Sequence, residues 1–324
     1  MTFPFNLYVL GFALAFIGAL GSLPLWRKWC IKVDHVDDPG HRKIHHTPVP
    51  LAGGLAVFTG MLLALAGLAI AMKSGWMGTA TQAPLSHGAE QRIGQMVAIL
   101  LGAAGMLVLG WFDDRHELKA GPKFAGQMAI ALLVAASGVR ITLFVPSLLF
   151  SYAITVLWIL TIVNAMNFMD NMNGLCSGLG AIGTWWFGLS AAVSGQYLVA
   201  LLAFLTCGAL LGFLPHNFPN ASAFLGDAGS HLTGYLLAVL AILPHFYTPG
   251  KPHHLVVLTP LLILAVPLGD MAWVVALRTR MGKPFWIGDT NHLSHRLVRR
   301  GLSKPHAVLV IWLMAAVAGA LAML

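Results

Sequence analysis

Ten apolar runs, each close to the length that crosses a lipid bilayer, divide this chain and leave only short loops between them. They cover approximately residues 5–25, 51–72, 93–112, 123–139, 143–163, 175–193, 197–214, 231–247, 255–277 and 306–324. A hydrocarbon core about 30 Å thick needs about 20 apolar residues per helix. Backbone N–H and C=O groups meet no water at that depth, so each run must satisfy its own hydrogen bonds as a helix. Charged residues are 9% of the 324, against roughly 25% in a soluble domain. The expected fold is all-α: a polytopic integral membrane protein of about ten transmembrane helices. A single transmembrane domain covers residues 1–324, with no tandem repeat and no separate soluble part.

The run at 123–139 is short, and merging it with the next across Arg140 would reverse the sidedness of everything downstream. Charge argues against the merge. With an external N-terminus, the loops at 26–50, 113–123 and 278–304 hold 5, 3 and 7 Lys or Arg, leaving Lys73, Arg92, Arg140 and Lys251 outside. Cytoplasmic loops carry the excess of Lys and Arg, so both termini are expected outside and the polar loops in the cytoplasm of a bacterial inner membrane. Nine of the eleven acids fall on that same side; Glu90 is external and Asp270 lies inside the ninth run. The net charge of +8 reflects this orientation, and no module for nucleic acid is visible. Cys30, Cys176 and Cys207 are odd in number and widely spaced, which suggests helix packing and neither a disulfide framework nor a zinc site. No Lys or Arg precedes the first run, so it lacks the positive start of a cleaved leader and is expected to remain as a span.

Charge at membrane level is costly and marks function. Six polar clusters fall in loops of the one side. The first is Asp37-x-Pro39-x-x-Arg42-Lys43-x-His45, and the second is Asp113-Asp114 ahead of Lys119 and Lys123. Asn164-x-x-Asn167-x-x-Asp170 and Phe224-Leu225-Gly226-Asp227-x-Gly229-Ser230 follow. The last two, Arg278-x-Arg280-x-Gly282-Lys283 and Asp289-x-x-His292-x-x-His295-Arg296, share one loop. Single scattered carboxylates suit Mg2+, which takes one or two of them, keeps several waters and bridges substrate phosphates. Two phosphate charges about 4 Å apart repel by about 4 kcal/mol at an effective dielectric near 20. Arg42, Lys43, Arg280, Lys283, His292, His295 and Arg296 are available to offset that repulsion. Phosphoryl transfer is catalysed mainly by positioning and charge stabilisation, so the inventory fits it. A transporter or lipid flippase also needs many helices, but its site would lie near the midplane in repeated halves. Arg278, Arg280, Arg299 and Arg300 are expected as topology anchors or headgroup contacts, and Asp270 as a structural hydrogen-bond partner.

In this combination and order, from Asp37 to Arg296, the motifs resemble the polyprenyl-phosphate N-acetylhexosamine-1-phosphate transferases. The phospho-N-acetylmuramoyl-pentapeptide transferase of peptidoglycan synthesis is a relative of that family. The resemblance implies transfer of a sugar 1-phosphate from a UDP-sugar, UDP-GlcNAc first, to undecaprenyl phosphate, releasing UMP and starting a cell-envelope glycan such as O-antigen. It also implies a Mg2+ cofactor, with Mn2+ as the alternative, and a membrane-lipid environment; a homodimer is compatible with it. On this resemblance Asp113, Asp114 and Asp227 are catalytic, with Asp227 on the metal, Asp114 on the metal or supporting it from behind, and Asp113 toward the attacking lipid phosphate. Adjacent residues at a helix end do not face the same way, which gives the aspartate pair two jobs. Asn164, Asn167, Asp170 and Asn173 resemble the stretch that shapes the nucleotide site, and Phe224 an aromatic stacked on uracil. His292, His295 and Arg296 look like the phosphate-binding histidine motif; Arg42, Lys43 and His45 look like the first-loop motif. Two departures stand out: Asn173 where many relatives carry Asp, and Ser294 where sugar-transferring members commonly carry His. The muramoyl-pentapeptide branch is disfavoured, since its three consecutive histidines are missing.

Overall fold

The structure, a computed structural model, describes residues 5–38, 48–74, 79–143, 145–244, 258–284 and 286–324. In chain order these form α1 (Phe5–Lys32), β1 (Val36–Asp37), β2 (Val49–Pro50), α2 (Gly53–Lys73), α3 (Thr79–His116), α4 (Ala120–Ala136) and α5 (Leu148–Met169). Then come α6 (Leu175–Val193), α7 (Tyr197–Phe213), α8 (Gly226–Ile242), α9 (Thr259–Ile263), α10 (Ala265–Arg280), α11 (Leu293–Arg299) and α12 (Lys304–Leu321). The strands make one antiparallel clasp, with Val36 opposite Pro50 and Asp37 opposite Val49.

A helix occupies each of the ten apolar runs. Six helical segments among the described residues are long and apolar enough to cross a membrane: Phe5–Lys32, Gly53–Lys73, Gln91–His116, Leu148–Met169, Tyr197–His216 and Lys304–Leu321. The protein is therefore a helical, polytopic membrane protein. The boundary at Arg140 is real: α4 ends at Ala136, Gly138 turns the chain at φ +95°, and Ser147 caps α5 by accepting from the Phe150 amide at 3.3 Å. The ninth run differs from expectation in being broken. Leu264 leaves helical geometry between α9 and α10, because Pro267 has no N–H to offer the Ile263 carbonyl four residues back.

The surfaces are apolar on the outside too. Ile17, Ile70, Leu101, Leu149, Leu157 and Val193 are all more than half exposed, as expected when lipid replaces water around the bundle. Inside, small residues let backbones approach, the usual currency of helix association in membranes. A Cβ on Gly60 of α2 would meet the Ala15 carbonyl of α1 at 2.6 Å, and one on Gly234 of α8 would meet the Val163 Cα of α5 at 2.6 Å. The three cysteines are free and buried in these contacts.

Helix α8 is the hub, since every residue from Ala228 to Ala241 is buried. It is tied to α3 by the Tyr235 hydroxyl, which donates to the Ile99 carbonyl at 3.0 Å, and to α5 by the Trp158 indole, which donates to the Ala238 carbonyl at 3.2 Å. Its first turn is held on two sides. Gly54 of α2 lies against the Gly229 amide, and Gly110 of α3 lies so close to the Asp227 carbonyl and Ala228 that a side chain would collide with backbone. The clasp leads into this turn, for Phe224 donates to the Pro50 carbonyl while Gly53 and Gly54 donate to the Phe224 and Leu225 carbonyls.

Gly110→Val should therefore force α3 and α8 apart. Overpacking of this kind costs about 1–3 kcal/mol, read as a lower midpoint of thermal unfolding in detergent. Gly121→Ala, whose Cβ would meet nothing within 4 Å, should leave the midpoint unchanged. Equal midpoints for Gly110→Val and wild type would contradict this packing.

Candidate active site

The end of α3 supplies two adjacent carboxylates that point to different partners. Successive helix residues are rotated by about 100°, and the result is a division of labour. Asp114 accepts from the Asp227 amide at 2.7 Å with one oxygen and from the Ala228 amide at 3.1 Å with the other. These amides open α8, where backbone N–H groups have no intrahelical acceptor and negative charge is favoured. The contact requires glycine next door: Gly226 sits at φ +72°, and a Cβ there would come within 2.8 Å of the Asp114 carboxylate. Left-handed backbone without a Cβ is the glycine niche.

Asp113 turns the other way, toward Lys123 in α4. The Lys123 ammonium lies 2.5 Å from Asp113 Oδ2 and 3.3 Å from Asp227 Oδ2. The second Asp113 oxygen accepts from the Leu118 amide at 2.9 Å, so the loop between α3 and α4 is folded around this carboxylate. Asp227 is held from α5 as well: the Asn167 amide donates to Asp227 Oδ1 at 2.6 Å and to the Ser230 hydroxyl at 3.0 Å. Behind it, Asn164 donates to Gln127 Oε1 at 2.7 Å, and Gln127 Nε2 lies 3.5 Å from His231 Nε2. Asp113 and Lys123 are 6% and 16% exposed, whereas Asp227 is 32% exposed and so presents the open side of the cluster. Asp170 caps α5 close by; burial, with the Asp227 carboxylate beside it, pushes its carboxyl up to about 8.

The residues fit a divalent cation. Ligand atoms of Asp113, Asp227 and His231 all lie within 4.8 Å of one another. The Lys123 ammonium between two carboxylates marks where positive charge is already drawn. Two carboxylates with few other protein ligands is the donor set that hard, hydrated cations such as magnesium accept. Of the two roles expected for Asp114, metal ligand or support behind the metal, its two oxygens on α8 backbone correspond to support, and Asp113 takes the place beside Asp227.

A second group of side chains gathers at the same end of α5. Asn171 accepts from the Ser294 hydroxyl at 2.6 Å, and the Phe168 ring meets the His292 ring edge-on at 5.6 Å between centroids. Asp270 accepts from His292 Nδ1 at 2.7 Å and from the Leu293 amide at 2.6 Å. That gives the expected structural partner of the buried Asp270 a name, and it fixes the ring of His292. His295 lies next along α11, its ring 6.4 Å from that of His292, and Arg296 stacks over Trp273 at 4.6 Å. Arg278 departs from expectation. It is 1% exposed, lies over the Phe168 ring at 5.0 Å, and pairs with Asp289 at 2.9 Å, so it braces the loop and does not face headgroups. Burial raises the Asp289 carboxyl, but the Arg278 and Asn291 hydrogen bonds outweigh it and hold the group down at about 2.

Asn173 donates to the Pro219 carbonyl at 3.2 Å, beside Gly174, whose amide donates to the buried Asn217 at 2.6 Å. Phe224 enters through its backbone contacts with the clasp and α2. Arg42, Lys43 and His45 lie outside the described residues. His231 and Gln127 are the cluster members that motif reading leaves out. Lys123 was visible only as a cation behind the aspartate pair, and His231 opens an apolar run.

Mn2+ binding followed by electron paramagnetic resonance should separate the two aspartates. Asp113→Asn and Asp227→Asn are each expected to weaken binding about 10-fold or more, each removing a charge directly at the site. Asp114→Asn should mainly lower the unfolding midpoint. Undiminished Mn2+ affinity in both Asp113→Asn and Asp227→Asn would remove the cation assignment.

Comparison with known proteins converges on one group. The family model for glycosyl transferase family 4 matches residues 96–245. A probable undecaprenyl-phosphate N-acetylglucosaminyl 1-phosphate transferase of Bacillus subtilis is 32% identical over 94% of this chain and 81% of its own length. A decaprenyl-phosphate N-acetylglucosaminephosphotransferase of Mycobacterium tuberculosis is 34% identical over 95% and 80%. An undecaprenyl-phosphate alpha-N-acetylglucosaminyl 1-phosphate transferase of Yersinia pestis is 28% identical over 93% and 80%.

Proposed function

The chain belongs to glycosyl transferase family 4, and we propose that it moves N-acetylglucosamine 1-phosphate from UDP-GlcNAc to undecaprenyl phosphate. The products are a lipid-linked pyrophosphoryl sugar and UMP. The observation that carries the reading is the union of Asp113, Lys123, Asn167 and Asp227 from four helices in one half-open cluster. The relatives' names give a polyprenyl phosphate acceptor and the N-acetylglucosamine 1-phosphate group, while UDP as its carrier rests on the motif resemblance. Ten spans with both termini external, and this end of the bundle facing the cytoplasm, follow from the bias of Lys and Arg toward these loops.

In the proposed reaction an oxygen of the lipid phosphate attacks the sugar-bearing phosphorus of the nucleotide. The new P–O bond forms as the bond from that phosphorus to the bridging oxygen breaks, and UMP leaves with the electron pair. Magnesium held by Asp113 and Asp227, with His231 adjacent, would supply neutralisation of the pyrophosphate charge. Lys123 adds a fixed positive charge on the inner wall of the cluster. Asp114 keeps the first turn of α8 in register, so Asp227 is presented from rigid backbone. His292, oriented through Nδ1 by Asp270, leaves its Nε2 for a phosphate oxygen or the sugar. A phosphate monoester loses its second proton at a pKa of about 6, so the nucleophile is already ionised at neutral pH. No general base is required.

Purified protein with undecaprenyl phosphate, magnesium and labelled UDP-GlcNAc should form a labelled lipid product, abolished by EDTA. Asp113→Asn should lower the rate by about 10²-fold or more, the scale of losing one charge-stabilising group, with no recovery at alkaline pH. Absence of lipid product from wild type would refute the proposed reaction. Full alkaline recovery of Asp113→Asn would show that deprotonation was its task.

A further inference from the structure

At the end of the bundle away from the acid cluster lie two adjoining cavities of opposite character. The first, about 660 Å³, is polar; Arg92, Gln95, Ser137, Arg140 and Leu243 are among its walls. The second, about 340 Å³, is an apolar crevice between α3 and α7 formed by Met96, Ile99, Leu198, Leu202 and Leu205 among others. They share Arg92, Gln95 and Leu243, so the polar chamber and the apolar one adjoin. Among the described side chains lining one or the other, the charged ones are Arg92, shared by the two, and Arg140 in the polar chamber.

The position of the pair is set by the helices. Arg92 is the non-helical residue at which α3 kinks, at the start of the apolar segment Gln91–His116. Arg140 follows the end of α4, its guanidinium near the Tyr152 ring at 6.0 Å. The 21 residues from Arg92 to Asp113 rise about 32 Å along a helix, close to the hydrocarbon thickness of about 30 Å. The polar chamber therefore lies at headgroup depth of the leaflet opposite the active site, while the crevice runs inward at acyl-chain depth.

We propose that this is a binding site for an anionic phospholipid, with its phosphate among Arg92, Arg140 and Gln95 and an acyl chain along Met96, Ile99, Leu198 and Leu202. Charge selects the headgroup, because basic recesses between membrane helices attract anionic lipids. The apolar crevice retains the chain, and a free anion has nothing to place there. Occupancy would fasten the kinked start of α3 to α7 and to the turn after α4. Since α3 also carries Asp113 and Asp114, the lipid would stabilise the scaffold of the catalytic end without touching it.

The test uses the full-length protein in neutral detergent, with thermal unfolding and native mass spectrometry as readouts. Phosphatidylglycerol should raise the unfolding midpoint by several degrees and be retained, phosphatidylcholine with the same chains should do much less, and inorganic phosphate should do nothing. The double variant Arg92→Gln/Arg140→Gln should lose at least 10-fold in phosphatidylglycerol retention. Lys73→Gln, removing an exposed cation at the end of α2, should lose none. Leu202→Trp, which fills the crevice and keeps both arginines, should also lower retention, so the result does not rest on one variant. Equal effects of the two lipids, a phosphate effect as large as that of phosphatidylglycerol, or full retention in the double variant would overturn the proposal.

Discussion

One carboxylate holds the architecture of the active end. Asp114 satisfies two amides at the start of α8 that no helix of its own can satisfy, and it does so from the last turn of α3. The pair of bonds is partly buried, and a buried amide left without a partner costs about 1–3 kcal/mol. The close approach of Gly110 and the left-handed turn at Gly226 are the backbone conditions for it. Once Asp114 is fixed, helical rotation decides that Asp113 must face Lys123 and Asp227. The bond also uses the α8 N-terminus internally.

The two halves of the site are joined through the end of α5. Asn167 faces the acid cluster, and its neighbours Phe168 and Asn171 face His292 and Ser294. The end of α5 is the rigid piece that sets the spacing between the two groups. Ser294 donates to Asn171 as part of that junction. The paired Asp270 and His292 belong to the same logic, a buried acid fixing which imidazole nitrogen remains available.

Much of this was legible in the sequence for a simple reason: lipid forces an apolar run to be a helix, so helix existence follows from length and hydropathy. The helices appear at all ten runs, and even the break in the ninth has a visible cause in Pro267. The aspartates were legible because a carboxylate in an apolar chain needs an explanation. What the sequence hides is pairing. Lys123 meets Asp227 from 104 residues away and Ser294 meets Asn171 from 123, and no local spacing encodes either contact. His231 is hidden differently, since it lies at the head of an apolar helix and reads as part of it. Arg278 misleads because surface arginines near helix ends are ordinary anchors, whereas this one is buried against Phe168 and Asp289.

The most direct measurement of the central contact is amide hydrogen exchange at the start of α8 in the wild-type protein. The Asp227 and Ala228 amides lie in the first turn, where exchange is ordinarily fast because helical partners are lacking. Held by Asp114, they should exchange as slowly as amides in the middle of α8, and Asp114→Ala should release them selectively. Fast exchange of both amides in the wild type would contradict the account, for the carboxylate would then not be organising the site.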